Sequence, residues 1–141
     1  MKAPREYTQG ITLWPIDRPD YPMAVVLAYK VADPYAVQLA FVVPGQDTRV
    51  WTFSRGLLAD ALYAAAGEGD VRIGPHEDED VQDYLVISLV RDENSRRWPA
   101  QFYVTREAIE KAVDRMYALV PMGREHVDVD QAIDRILSEV S

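Results

Sequence analysis

A chain of 141 residues can bury one hydrophobic core without a disulfide or metal to close it, so residues 1–141 are expected to form a single domain. It has no cysteine, which excludes disulfides, zinc–thiolate centres and thiol nucleophiles and suits a reducing compartment. Fifteen Lys and Arg against 23 Asp and Glu give a net charge of −8, which opposes a phosphate backbone and disfavours a general nucleic-acid binder.

The chain opens MKAPREYTQG, with no apolar run of signal-peptide length, and no stretch of about 18 apolar residues follows. A cytoplasmic protein without direct membrane insertion is expected. Tyr7 to Ile16 reads as a first strand, with Ile11 and Leu13 on one face and Thr12, Trp14 and Ile16 on the other. Pro15 lacks a backbone donor and places an edge or an end there. Asp17 to Pro22 holds two prolines and reads as a loop. Met23, Val25, Leu27, Tyr29 and Val31 then alternate with Ala24, Val26, Ala28 and Lys30. The second face of this strand is nearly as apolar as the first, so both are expected to be covered.

Asp33 and Pro34 turn the chain. Tyr35, Val37, Leu39, Phe41 and Val43 form one apolar face of the next strand, Pro44 to Asp47 break it, and Thr48 to Phe53 return as its hairpin partner. Ser54 can accept the orphan N–H groups of a helix start. Leu57, Leu58, Ala61, Leu62 and Ala65 follow as an amphipathic stripe that Gly67 is expected to stop.

Gly67, Glu68 and Gly69 read as a turn, Asp70 to Ile73 as a brief strand ended by Gly74 and Pro75, and Glu77 to Asp80 as a solvated acidic loop. Tyr84 to Val90 is apolar on both faces and reads as a central strand. Arg91 to Arg97 turns the chain, and Trp98 to Val104 returns with Trp98, Ala100, Phe102 and Val104 on one side. Thr105 caps a second helix in which Ile109, Ala112, Val113, Met116 and Val120 repeat, and Pro121, Met122 and Gly123 end it. Asp128 with Gln131 is a capping-box-like start for a last helix carrying Ile133, Ile136, Leu137 and Val140. Four strands, a helix, about three strands and two helices, without βαβ alternation, define an α+β fold of antiparallel sheets with helices packed on them.

No catalytic constellation is visible. His76 beside Glu77, Asp78, Glu79 and Asp80 lacks the ligand spacing and turn glycine of a calcium loop, and in His126, Asp128 and Asp130 the capping role of Asp128 is the simpler account. There is no G-x-S-x-G elbow, Ser54 is explained as a cap, and the glycines at 67, 69 and 74 do not make a phosphate loop. No enzyme activity, cofactor or metal is expected. Arg91, Arg96 and Arg97 near Trp98 form the one basic and aromatic cluster. Asp92 and Glu93 in the same turn leave it a net +1, three arginines less two acids, so a hairpin tip with local ion pairs is the simpler reading. These three arginines are nevertheless the candidate partner-binding residues.

The block Asp33, Pro34, Tyr35, Ala36, Val37 comes first; Trp51, Phe53 and Arg55 then run into Leu57, Leu58, Ala59 and Leu62, and Gly67, Gly69, Asp70, Val71 and Arg72 follow. In order and spacing these blocks resemble the SsgA-like proteins, an actinobacterial family acting in sporulation-specific cell division. An echo continues through Pro121, Gly123, Glu125 and His126 to Asp130, Ile136 and Leu137, so the resemblance covers the chain after about residue 20. It implies a whirly-like fold, a β-β-β-β-α block given twice, assembled as a homotrimer. It further implies a non-catalytic role in septation, by recruiting the tubulin-like protein FtsZ to the division septum or by influencing septal peptidoglycan remodelling. The alternative on such a scaffold is a single-stranded nucleic-acid-binding protein.

Overall fold

The computed structural model describes residues 5–42, 45, 48–93 and 96–125, with the side chains of Glu79 and of 91–99 outside the description. The elements run β1 (Glu6–Pro15), β2 (Met23–Lys30), β3 (Asp33–Phe41), β4 (Arg49–Ser54), α1 (Arg55–Ala61), β5 (Ala66–Glu68), β6 (Val71–Pro75), β7 (Tyr84–Glu93), β8 (Arg96–Thr105) and α2 (Arg106–Leu119). Four strands and a helix are thus given twice, in an α+β fold. In both blocks the last residue of the fourth strand caps the helix. Ser54 Oγ accepts the Leu57 N–H at 3.1 Å, and Thr105 Oγ1 accepts the Ala108 N–H at 3.2 Å.

The sheet order is β4-β3-β2-β1-β8-β7-β6-β5, antiparallel at every described pairing. The two blocks meet at a narrow seam. β1 pairs with β2 from Glu6 to Leu13 and then with β8 only at Trp14 and Pro15, so the strand ends at its proline as the missing donor requires. At the far side α1 connects the edge strands β4 and β5, and the Ser54 N–H donates to the Glu68 carboxylate at 3.1 Å. The sheet therefore curls around its helices. α1 packs on β3, β4, β5 and β6, while α2 packs on β1 and β8.

The inner face is one continuous core. Leu13, Leu27, Val37, Leu39, Ile73, Leu85, Ile87 and Val104 from the strands meet Leu57 and Leu58 of α1 and Ile109, Ala112 and Met116 of α2. Burial of each large aliphatic side chain is worth roughly 1.5–3 kcal/mol, which is what holds a seven-residue helix such as α1 in place.

Several sequence expectations are corrected. α1 stops at Ala61, not at Gly67, because Tyr63 and Ala64 both donate to the Asp60 carbonyl and turn the chain. Gly67 lies instead in β5, an edge strand too short and too glycine-rich to show a strand pattern. Gly74 and Pro75 are part of β6, and the acidic stretch contains one 3-10 turn, Glu79–Val81, whose start is capped by Asp78. Tyr35 does not join the inward face of β3. A register shift between Tyr29 and Lys30 inserts extra residues opposite β2, so Pro34 is buried and Tyr35 is turned out, 52% exposed. Among the described residues β2 is covered on one face only, for α1 and α2 both lie on the inner side and Val26 is 40% exposed. The expected turn from Arg91 to Arg97 is mostly strand, since the β7–β8 ladder continues to Glu93 opposite Arg96. The last helix predicted from Asp128, Val43 and most of the Pro44–Asp47 turn lie outside the described residues.

Candidate interaction site

Arg55 opens α1 on the side that should be apolar, for Leu58 and Leu62 lie three and seven residues on, along the same helical face. A cation buried there must be met by acceptors or it costs several kcal/mol. The fold supplies them. Arg55 is 2% exposed. Its Nη1 donates to the Val120 carbonyl at 2.6 Å, the Met116 carbonyl at 3.4 Å and the Tyr29 hydroxyl at 3.1 Å, and Nη2 donates to Glu125 Oε1 at 2.6 Å. The guanidinium carbon also sits 4.0 Å from the centre of the Tyr117 ring. A cation at the start of α1 opposes that helix's dipole, but here it reaches the carbonyl end of α2, where positive charge is favoured.

The neighbouring groups extend the node. The Tyr29 hydroxyl donates to the Pro34 carbonyl at 2.8 Å and so holds the shifted start of β3. Burial raises the Tyr29 pKa, with the Arg55 charge working against it. Gly123, at φ 84°, folds the chain back so that its N–H donates to Glu125 Oε2 at 2.8 Å. The Glu125 carboxyl is held below its ordinary range by its own backbone N–H first, then by Arg55 and by the Gly123 N–H. Tyr29, Pro34, Arg55 and Pro121 to Glu125, scattered through the sequence, therefore form one hydrogen-bonded unit.

This unit is closed. Among the described residues every buried side-chain nitrogen and oxygen has a hydrogen-bond partner, so the Arg55 node positions other parts and offers no vacant polar group to a ligand. The outer side of the sheet is a surface open to other molecules among the described residues. On β2, β3 and β4 the register sets Val26, Ala40 and Val50 in one row across the outer face, with Gly10 of β1 at its end. Val26 and Val50 are 40% and 50% exposed. On the other block a cleft of about 450 Å³ is lined by Ile16, Ala65, Arg72, Gly74, His76 and Glu77 among others. His76 Nδ1 accepts the Asp78 N–H at 3.0 Å, which gives this histidine a role in shaping the acidic turn.

The arginines singled out from sequence lie elsewhere. The ladder sets Arg91 opposite Trp98, Arg97 opposite Asp92 and Arg96 opposite Glu93. That is the end of the hairpin about 30 Å from the Tyr84–Thr105 pair, counting strand rise per residue. Their side chains lie outside the described residues. Arg55 and Glu125 were legible as members of sequence blocks but not as partners. The available signal was the charge of Arg55 on an apolar helical stripe, which demands a counter-group without saying where it comes from.

The doubled strand-block-and-helix fold defines the class. The family model described as Streptomyces sporulation and cell division protein, SsgA, matches residues 23–125, and the chain belongs to this family of sporulation and cell division proteins. Within it, the chain is similar to sporulation-specific cell division proteins SsgB. That of Streptomyces coelicolor is 37% identical over 120 residues, covering 84% of each chain. That of Thermobifida fusca is 35% identical over 131 residues, covering 92% of this chain and 91% of the relative. The crystal structure of an SsgA-like sporulation-specific cell division protein from Thermobifida fusca superposes with a TM-score of 0.72 at 30% identity, over 96% of this chain and 98% of that one. A solved structure of SsgB, from work on longitudinal cell division during sporulation of Streptomyces coelicolor, gives 0.68 at 29% identity, over 86% and 93%.

Proposed function

We propose that this chain is a non-catalytic regulator of cell division that works through protein–protein contacts. It acts in the cytoplasm at the septum, as a homotrimer, and recruits FtsZ or controls septal peptidoglycan remodelling. One observation supports it above the others: the outer face of β2–β4 presents Val26, Ala40 and Val50 in register, an uncharged row that the described residues leave exposed. A surface of this kind suits an interface between copies or with a partner, whereas the acidic balance of −8 argues against a single-stranded nucleic acid. The test is co-sedimentation of the purified protein with GTP-assembled FtsZ from the same organism, with GDP as control. Pelleting with polymer alone is expected. A folded protein that stays in the supernatant at tens of micromolar would remove FtsZ as the direct target and leave a wall-remodelling protein in its place.

A further inference from the structure

At the seam of the two blocks, on the face opposite the core, three aromatic rings converge. Trp14 is the last residue but one of β1, Tyr84 opens β7, and Tyr103 of β8 pairs in register with Trp14. The Trp14 and Tyr84 rings are 6.3 Å apart at 84°, and Tyr84 and Tyr103 are 6.3 Å apart at 69°. With Pro19 and Val81 they line a depression of about 270 Å³ that has no charged side chain in its wall. That is below the usual size of small-molecule sites, roughly 300–1,000 Å³, and suits a side chain or two of a protein segment. Tyr84 is 38% exposed and Trp14 and Tyr103 are half-buried; the His76 ring packs against Tyr103 at 5.7 Å and 32°, so Tyr84 is the most accessible of the three rings.

The sequence flanking the lining residues is mostly acidic, with Arg18 the one cation directly adjoining them. Asp20 adjoins Pro19, Asp80 adjoins Val81 and Asp83 adjoins Tyr84, all three exposed. Among the described residues none of these carboxylates has an ion-pair partner. Two arginines nearby keep their charge, fewer than the three carboxylates, and their guanidinium groups are already engaged with other partners. The Arg18 guanidinium lies 4.3 Å over the Tyr21 ring, and Arg106 donates to the Gln82 and Leu62 carbonyls at 2.9 and 2.6 Å.

Rings at near right angles offer their negative faces to a cation, and a carboxylate rim raises the local concentration of cations while repelling phosphate. Aromatic side chains can also stack nucleic-acid bases, but that use needs a basic surround, and here the surround is acidic. We propose that the Trp14–Tyr84–Tyr103 depression is a docking site for an arginine side chain carried on an exposed basic segment of a partner protein. The planar guanidinium stacks on a ring face while its edge meets the rim carboxylates. This names the chemistry of one partner contact and so rests on the reading that the chain works through protein contacts.

The test is a nuclear magnetic resonance titration of the full chain with a twelve-residue Gly-Ser peptide carrying two arginines, followed at the Trp14 indole N–H. Controls are the same peptide with glutamine in place of arginine, and oligo(dT). Saturable shifts with the arginine peptide alone are expected, weakening as salt rises. Tyr84→Ala should weaken binding about threefold or more. Should that variant perturb folding, Asp80→Asn with Asp83→Asn, both at exposed positions, must weaken binding and flatten its salt dependence. Equal shifts with the glutamine peptide, tighter binding of oligo(dT), no shift at millimolar arginine peptide, or undiminished binding by the variants would each overturn the proposal. None of these arms uses FtsZ, so failure here and failure of FtsZ to pellet the protein are separate results.

Discussion

Arg55 joins through its two terminal nitrogens groups that no other residue type could join at once: the Met116 and Val120 carbonyls at the end of α2, the Tyr29 hydroxyl and the Glu125 carboxylate. Its replacement by alanine leaves buried acceptors without donors and a void beside Tyr117, at an expected cost of about 3 kcal/mol in urea denaturation. Arg55→Lys keeps the charge but not the planar fork, and about half of that loss is expected. An unchanged midpoint in both variants would show the node to be dispensable. Glu125 adds a pH dependence. Its folded pKa lies below the unfolded one, so its contribution is complete above the ordinary value of 4.5 and is lost as pH falls through the folded value. Between neutral pH and that range Glu125→Gln should be less stable than the parent. Below it the two should converge, which parallel denaturation series across pH will read directly.

At the level of elements, the two helices are held differently. α2 is 14 residues long and docks a full stripe, whereas α1 has seven residues and depends on its cap, on Arg55 and on the connection that follows it. That connection passes directly over β6. A Cβ on Gly74 would stand 2.5 Å from the Ala65 Cα and 2.8 Å from its Cβ, closer than backbone permits. Gly74→Ala must therefore push the chain entering β5 away from β6, at an expected cost of about 1–3 kcal/mol. Because β5 is a three-residue edge strand, hydrogen exchange in the amides of 66–68 should accelerate before the rest of the sheet responds. Uniform protection in the variant would mean that the strand can shift without loss.

For the whole molecule, the decisive feature is that both helices lie inside the curl of the sheet. Among the described residues no helix covers the outer sheet face, and its two halves differ. The β2–β4 half carries the uncharged row of Val26, Ala40 and Val50 between polar neighbours such as Gln38 and Thr52, while the seam carries aromatic rings. If the first half is the interface of the proposed homotrimer, Val26→Lys should give a monomer in light scattering while far-UV circular dichroism stays unchanged, since Val26 contributes nothing to the core. An unaltered mass would place the interface on another face.

The sequence alone determined the type and order of nearly every described element, because burial on one face writes a period of two into a strand and 3.6 into a helix. It marked both caps and the blocks that identify the family. Tertiary structure decided where those periods give way. Tyr35 fits the alternation of β3 but is turned out by a register shift that depends on β2, and Val26 reads as core until the helices prove to lie on the other side. β5 has almost no side chains with which to announce itself. The pairing of Arg55 with Glu125 spans 70 residues, and the meeting of Trp14 with Tyr84 and Tyr103 depends on a two-residue seam between strands at opposite ends of the chain. Periodicity records which way a side chain faces, whereas the partner it meets is set by how distant strands come into register.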